Sequence, residues 1–223
     1  MSDGRDLELD PDKQILEVGV MRYDLRLIAD MIAPGSRVLD VGCGDGALLG
    51  HLYREKKVDG RGMELSMEGV REAVSHGLSV IQGDADTDLS DYPSGAFDYV
   101  ILSQTLPATH RPRDVVEHLL RIGRWAIVSF PNFGHWSVRS SLMLRGRMPV
   151  NQFLPYEWWE TPNIHFFTLR DFLYLCGALG LRVETGLILD SRGRVMNVAC
   201  RSARANIFGQ QAIFLLTRAD ESR

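Results

Sequence analysis

Val38-Leu39-Asp40-Val41-Gly42-Cys43-Gly44-Asp45-Gly46 is the most informative segment of the chain. An apolar run interrupted by one carboxylate passes into three glycines at alternate positions, and Ala47-Leu48-Leu49 then opens a segment of helical period. A buried strand, a tight loop and a helix follow one another, which is the first unit of an open α/β sheet. Glycines let the backbone turn sharply and let a ligand lie against it with no Cβ in the way. The spacing is G-x-G-x-G and departs from the dinucleotide fingerprint G-x-G-x-x-G. A pyrophosphate at this helix start would be repelled by Asp40 and Asp45, whereas a ligand carrying an ammonium group would be attracted. The loop therefore suits a cationic, amino-acid-like ligand.

Working outward, short β-rich runs alternate with longer segments of helical period. Strands are expected at Arg37 to Val41, Asp59 to Glu64, Ser79 to Gln82, Tyr99 to Leu102, Trp125 to Ser129, Arg182 to Leu189 and Arg194 to Arg201. Helices are expected at Lys13 to Ile32, Ala47 to Lys56, Met67 to His76, Arg113 to Ile122 and Leu169 to Leu179. Near-continuous apolar strands such as Tyr99-Val100-Ile101-Leu102 belong in a parallel sheet covered on both faces. The last two strands, joined by the turn Asp190-Ser191-Arg192-Gly193, read as an antiparallel pair at one edge. The chain divides into an acidic extension (1–12), one domain (13–202) and a C-terminal tail (203–223). Within the domain, 131–168 is a long irregular insertion that contains Trp136, Trp158 and Trp159. Such an insertion serves as a lid or binding surface, or covers an edge of the core.

The bulk properties exclude several classes. The chain has 223 residues, 45% of them hydrophobic and 24% charged, and a net charge of −4. That composition suits one globular domain and gives no general attraction to nucleic acid or to an anionic membrane. No apolar run reaches the roughly 18 residues of a membrane span, and the acidic N-terminus is unlike a signal peptide, so a cytoplasmic location is expected. Three scattered cysteines, Cys43, Cys176 and Cys200, predict reduced thiols and no metal site.

Further carboxylates stand at strand ends. Glu64, followed by Leu65, closes the second strand about 20 residues beyond the loop, where a carboxylate can accept hydrogen bonds from both hydroxyls of a ribose. Asp84, followed by Ala85, comes after the third strand and is placed to receive an adenine amino group. Ser103 and Gln104 at the end of the fourth strand border the same crevice. The expected binding set is Asp40, Gly42, Cys43, Gly44, Gly46, Glu64, Leu65, Asp84, Ala85, Ser103 and Gln104.

This pattern resembles the class I S-adenosylmethionine-dependent methyltransferases, and further blocks narrow the resemblance to the methionine biosynthesis protein MetW family. They are Pro34 to Gly46, Asp98-Tyr99-Val100-Ile101-Leu102-Ser103-Gln104-Thr105-Leu106, Ser129-Phe130-Pro131-Asn132-Phe133-Gly134-His135-Trp136, Gly146-Arg147-Met148-Pro149 and Thr161-Pro162-Asn163-Ile164-His165. The resemblance covers about Arg22 to Asp190. One departure is Ser66, where the family usually has an acidic residue. The resemblance implies a Rossmann-like class I methyltransferase fold, with a seven-stranded, mostly parallel sheet, an antiparallel edge pair and helices on both faces. It also implies S-adenosylmethionine or S-adenosylhomocysteine as cofactor, and a role in methionine synthesis beside a homoserine O-acyltransferase.

No catalytic residue is assigned. The fourth strand runs into Ser103-Gln104-Thr105-Leu106-Pro107 and lacks the Asn/Asp-Pro-Pro-aromatic tetrad that orients some methyl acceptors. Methyl transfer from a sulfonium needs positioning more than a strong base, so a small-molecule methyltransferase is the alternative to an accessory, cofactor-binding subunit. His110, His135 and His165 could act as bases or serve as structural hydrogen-bonding groups. The three tryptophans could anchor a partner or pack the insertion, and Arg139, Arg145 and Arg147 could meet an acidic partner or only solvent.

Overall fold

The structure is a computed structural model and describes residues 21–151 and 154–219. Its core is a seven-stranded sheet of β1 (Arg37–Val41), β2 (Asp59–Glu64), β3 (Val80–Gln82), β4 (Phe97–Ser103), β5 (Gly123–Pro131), β6 (Leu181–Leu189) and β7 (Gln211–Arg218), in the order β3-β2-β1-β4-β5-β7-β6. The pairings from β3 through β5 are parallel, and β7 runs antiparallel to both β5 and β6. The helices are α1 (Tyr23–Asp30), α2 (Ala47–Lys56), α3 (Met67–Ser75), α4 (Pro112–Ile122), α5 (Trp136–Arg145), α6 (Leu169–Ala178) and α7 (Ala203–Phe208). Of the helix expected from Lys13 to Ile32, the described residues show only α1, because Arg22 is its extended N-cap (φ −57°, ψ 147°) and residues 21–22 are not helical; the part before residue 21 lies outside the described residues.

Strand alternation divides the core between the two faces. Val38, Ile101, Ile127 and Ile213 pack with Ile28 of α1 and Leu48 and Leu52 of α2. Leu39, Val100, Val128 and Phe214 pack on the other face with Val115 and Leu119 of α4 and Phe172 of α6. The order of strands reverses after β1, so ligands are expected in the crevice beyond the carboxyl ends of β1 and β4.

The sequence expectation fails at the C-terminal end. Arg194 to Arg201 is not a strand. Asp190 Oδ1 accepts from the N–H groups of Arg192 and Arg194, and a single bridge joins Leu189 to Val195. The chain then turns away, and Met196, Val198 and Cys200 lie half-buried against the core. Alternation there reports burial without strand pairing. The seventh strand is Gln211–Arg218, inside the segment set apart as a tail, and it inserts between β5 and β6. It wins that place because Ala212, Ile213, Phe214 and Leu216 are fully buried and can fill both faces, which the exposed Arg194 and Val195 cannot do. The irregular insertion also contains a helix, α5, that was not expected.

Phe214 stacks on Phe172 at 5.4 Å between ring centroids and lies 6.0 Å from Phe130. Phe214→Ala should lower stability by about 3 to 5 kcal/mol, while Val195→Ala should change it by less than about 0.5 kcal/mol. Urea denaturation of the two variants checks the assignment, and equal effects would contradict it.

Candidate functional site

The glycine loop is held from below by β2. The Met63 carbonyl accepts the N–H groups of both Gly42 (2.7 Å) and Cys43 (3.2 Å). Glu64 Oε2 accepts the N–H of Gly44 at 2.9 Å, the Cys43 carbonyl accepts that of Gly46 at 3.0 Å, and Asp45 Oδ1 accepts that of Ala47 at 3.0 Å. A phosphate-binding loop keeps such donors free to point at its ligand. Here the N–H groups of Gly42, Cys43, Gly44, Gly46 and Ala47 are already bonded within the protein, and the carboxylates of Asp40 and Asp45 lie in and before the loop.

Gly42, Gly44 and Gly46 all have positive φ, at 72°, 55° and 79°. A Cβ on Gly42 would collide with the Thr105 side chain, so this glycine lets β1 and the β4 loop approach closely. A Cβ on Gly44 would meet nothing within 4 Å, so the loop crest opens into free space where a ligand can lie. Cys43 differs from its neighbours. Its side chain is buried with Leu49, Ala73 and Val80, and burial pushes its thiol pKa far up, so only its backbone belongs to the loop.

Asp40 is 2% exposed, and its Oδ1 has no hydrogen-bond partner. Burial chiefly, and then the nearby Glu64 charge, raise its pKa from 3.8 to about 7, with Arg22 acting in the opposite sense. A buried carboxyl without a donor is costly unless something else supplies the hydrogen bond. An ammonium group in the crevice would do so.

Glu64 holds the loop and the next helix together. It accepts from Gly44 N–H through one oxygen and from Ser66 N–H through the other, at 2.9 Å each. A carboxylate offers about four acceptor positions, so two remain for a diol. Ser66, the departure from the family pattern, starts α3 as its N-cap, accepting the Gly69 N–H. Gly69 itself escaped the sequence reading. A Cβ there would lie 2.9 Å from Glu64 Cγ and 3.1 Å from the Gly44 carbonyl oxygen, so this position must stay small for Glu64 to reach the loop. No local signal betrays it, because the constraint arises only when α3 packs over β2.

At the β3 side, Asp84 Oδ1 accepts from Asp86 N–H at 2.9 Å, and Asp86 in turn accepts the N–H groups of His110 (2.7 Å) and Arg111 (2.8 Å). Asp86 thus ties the β3 loop to the start of α4. Leu65 is 64% exposed, with its carbonyl held by Gln82, whereas Ala85 is half-buried against the core. At the β4 end, Ser103 Oγ lies 3.1 Å from Ser129 Oγ, to which Gln104 Nε2 also donates. Gln104 has a φ of 62°, uncommon for a residue with a side chain, and its N–H is held by the Ser129 carbonyl.

The histidines separate into distinct roles. His135 is buried and caps α5 with Nδ1, which accepts from Ser137, and desolvation lowers its pKa. Its role is structural. His165 has a buried Nε2 without a partner, while its backbone N–H donates to the Pro107 carbonyl beyond β4. His110 is exposed. Among the described residues no cluster of His, Cys, Asp or Glu is placed to hold a metal ion, and no helix is long and apolar enough to cross a membrane.

A doubly wound sheet with an acidic glycine loop at its switch point defines the class I methyltransferase-like fold. A crystal structure of a SAM-dependent methyltransferase from Archaeoglobus fulgidus superposes with a TM-score of 0.65 at 15% identity, over 87% of this chain and 91% of that one. The [4+2]-cyclase SpnF matches with a TM-score of 0.61 at 19% identity, over 87% of this chain and 80% of that one. The chain belongs to the family "Methionine biosynthesis protein MetW", whose profile matches residues 22–216. The match runs beyond the Asp190 limit of the resemblance and takes in most of β7. The bifunctional methionine biosynthesis protein MetXA/MetW of Rhodopirellula baltica is 33% identical in an alignment that covers 76% of this chain and 29% of that protein. The chain therefore matches less than a third of that relative's length.

Asp40 yields a stability test. An unfolded chain loses the Asp40 proton near pH 3.8 and the folded one near pH 7, so between these values the native state holds the extra proton. Stability from this group is therefore lost as pH rises from about 4 to 7 and stays lost above. Asp40→Asn removes the loss. In the ligand-free protein its melting temperature should exceed that of wild type by about 5 to 10 °C more at pH 8 than at pH 5. Thermal scans at the two pH values check this, and a difference independent of pH would contradict the burial of an unpaired carboxyl.

Proposed function

We propose that this protein binds S-adenosylmethionine or S-adenosylhomocysteine at the glycine loop and acts in the cytoplasm as an accessory or regulatory partner of a homoserine O-acyltransferase. The observation that carries the ligand assignment is the inward commitment of the loop N–H groups beside an unpaired, buried Asp40. Such a loop disfavours a pyrophosphate and favours an ammonium.

In this reading each residue meets one part of the ligand. Asp40 faces the ammonium of the methionine moiety, and the open crest at Gly44 carries its chain. Glu64 takes the ribose diol on its remaining acceptor positions. Leu65 and Ala85 flank the adenine, and Asp84 accepts its amino group. Ser103 and Gln104 border the sulfur end. When bound, the sulfonium cofactor supplies a transferable methyl group. None of these residues is a strong base at the sulfur end, which fits a binding role. Support for the partner is the relative that joins the same domain to a MetXA portion in one chain, since fused domains commonly work on one process.

The second reading, a small-molecule methyltransferase, has its support in the A. fulgidus likeness. The fold alone decides nothing, because the cyclase SpnF shares it.

Calorimetry with S-adenosylhomocysteine tests the site. Glu64→Ala should weaken binding about 10- to 150-fold, the equivalent of about 1.5 to 3 kcal/mol for charge-assisted hydrogen bonds. Unchanged affinity, or no binding by wild type at millimolar ligand, would overturn it. Incubation with methyl-labelled cofactor should show no multiple-turnover transfer to homoserine, its O-acyl esters or homocysteine. Transfer abolished by Gly44→Arg would establish the enzyme instead.

A further inference from the structure

The insertion after β5 is rooted at the crevice and bare at its tips. At its roots, Ile164 and His165 donate their N–H groups to the Pro107 carbonyl at 2.8 and 2.9 Å, Phe133 N–H donates to the Phe167 carbonyl, and the rings of Phe133 and Phe166 meet edge to face at 4.7 Å. Asn132 secures the same junction. Its side chain donates to the carbonyls of Asn206 and Gly209 and accepts from Gly134 and Leu169.

The tips are different. Residues 142–147, the last turn of α5 and its continuation, are all exposed, as are residues 155–160. They contain Leu142, Met143 (79% exposed), Leu144 (76%), Trp158 (71%) and Trp159 (64%). The tryptophans do not close the core. Three consecutive apolar residues ending a helix span more than half of its circumference, so no single rotation of α5 could bury them against its own domain. A ten-residue helix is marginal without packing. Exposed apolar groups of this size, bordered by arginine, mark interaction surfaces.

We propose that residues 142–147 and 155–160 form one docking surface for the homoserine O-acyltransferase. This rests on the partner reading given above. The occupant is argued from the relative in which the matching domain occupies 29% of a single chain named for both MetXA and MetW, so that a MetXA portion is tethered beside it. Among the described residues, these tips of the insertion carry several of the most exposed large apolar side chains. The roots of the same insertion reach the Pro107 carbonyl, three residues beyond Gln104.

The test uses the full chain and the acyltransferase of the same organism. Met143→Glu and the double variant Trp158→Ala/Trp159→Ala alter exposed side chains that take no part in holding the nucleoside. Each should keep its melting temperature within about 2 °C and keep wild-type affinity for S-adenosylhomocysteine, while at least one binds the acyltransferase at least 10-fold more weakly in biolayer interferometry. Wild-type acyltransferase affinity in both folded variants would overturn this surface while leaving the partner reading intact. No binding by the wild-type protein would remove the partner reading and the surface with it. Light scattering and vesicle sedimentation examine the other occupants. A wild-type dimer dissociated by these substitutions, or binding to anionic vesicles lost with them, would overturn the proposal in favour of self-association or a lipid surface.

Discussion

The Met63 carbonyl, shared by the N–H groups of Gly42 and Cys43, is the interaction on which the site depends. It draws the loop after β1 down onto the end of β2, and Glu64 completes the hold by taking the next N–H, that of Gly44. Once these donors are engaged, fewer N–H groups are left to hold an anion, although the loop stands before a helix N-terminus. The carboxylates in and before it then set the local field. We propose that this field turns the crevice toward a cationic ligand.

That arrangement has a stability cost which the rest of the domain offsets. Asp40 is buried without a donor, and three loop glycines are held at positive φ. The surrounding packing imposes both. α3 closes over Glu64 where Gly69 leaves room, and Thr105 fills the space that a side chain on Gly42 would need. Such local departures from the best-folded arrangement are expected where a ligand must bind.

Much of this was legible in the sequence, and what was not has definable causes. β1 was legible as an apolar run ending in glycine, and the bounds of β2, Asp59–Glu64, also agree with the sequence expectation. The carboxylates proposed for the crevice are local features too: Asp40 lies within β1, Glu64 closes β2 and Asp84 follows β3. β7 was missed because two candidate runs follow β6. Choosing between them depends on which can be buried on both faces, a property of the assembled sheet. The half-buried alternation of Met196, Val198 and Cys200 looks like a strand in sequence, yet it only covers the sheet. Gly69 escaped notice because its need for smallness is a contact between α3 and the β2 end. The tryptophans of the insertion left two readings open, and their exposure separates them: composition shows that apolar groups are present, but whether the same chain covers them is a three-dimensional fact.

The proposed site selects an ammonium-bearing nucleoside over a pyrophosphate. Isothermal titration of the wild-type protein with S-adenosylhomocysteine and, separately, with NAD at the same pH and salt measures this most directly. Binding of the first should be at least 100-fold tighter than of the second, about 2.7 kcal/mol or more. NAD affinity equal to or greater than that for S-adenosylhomocysteine would contradict it.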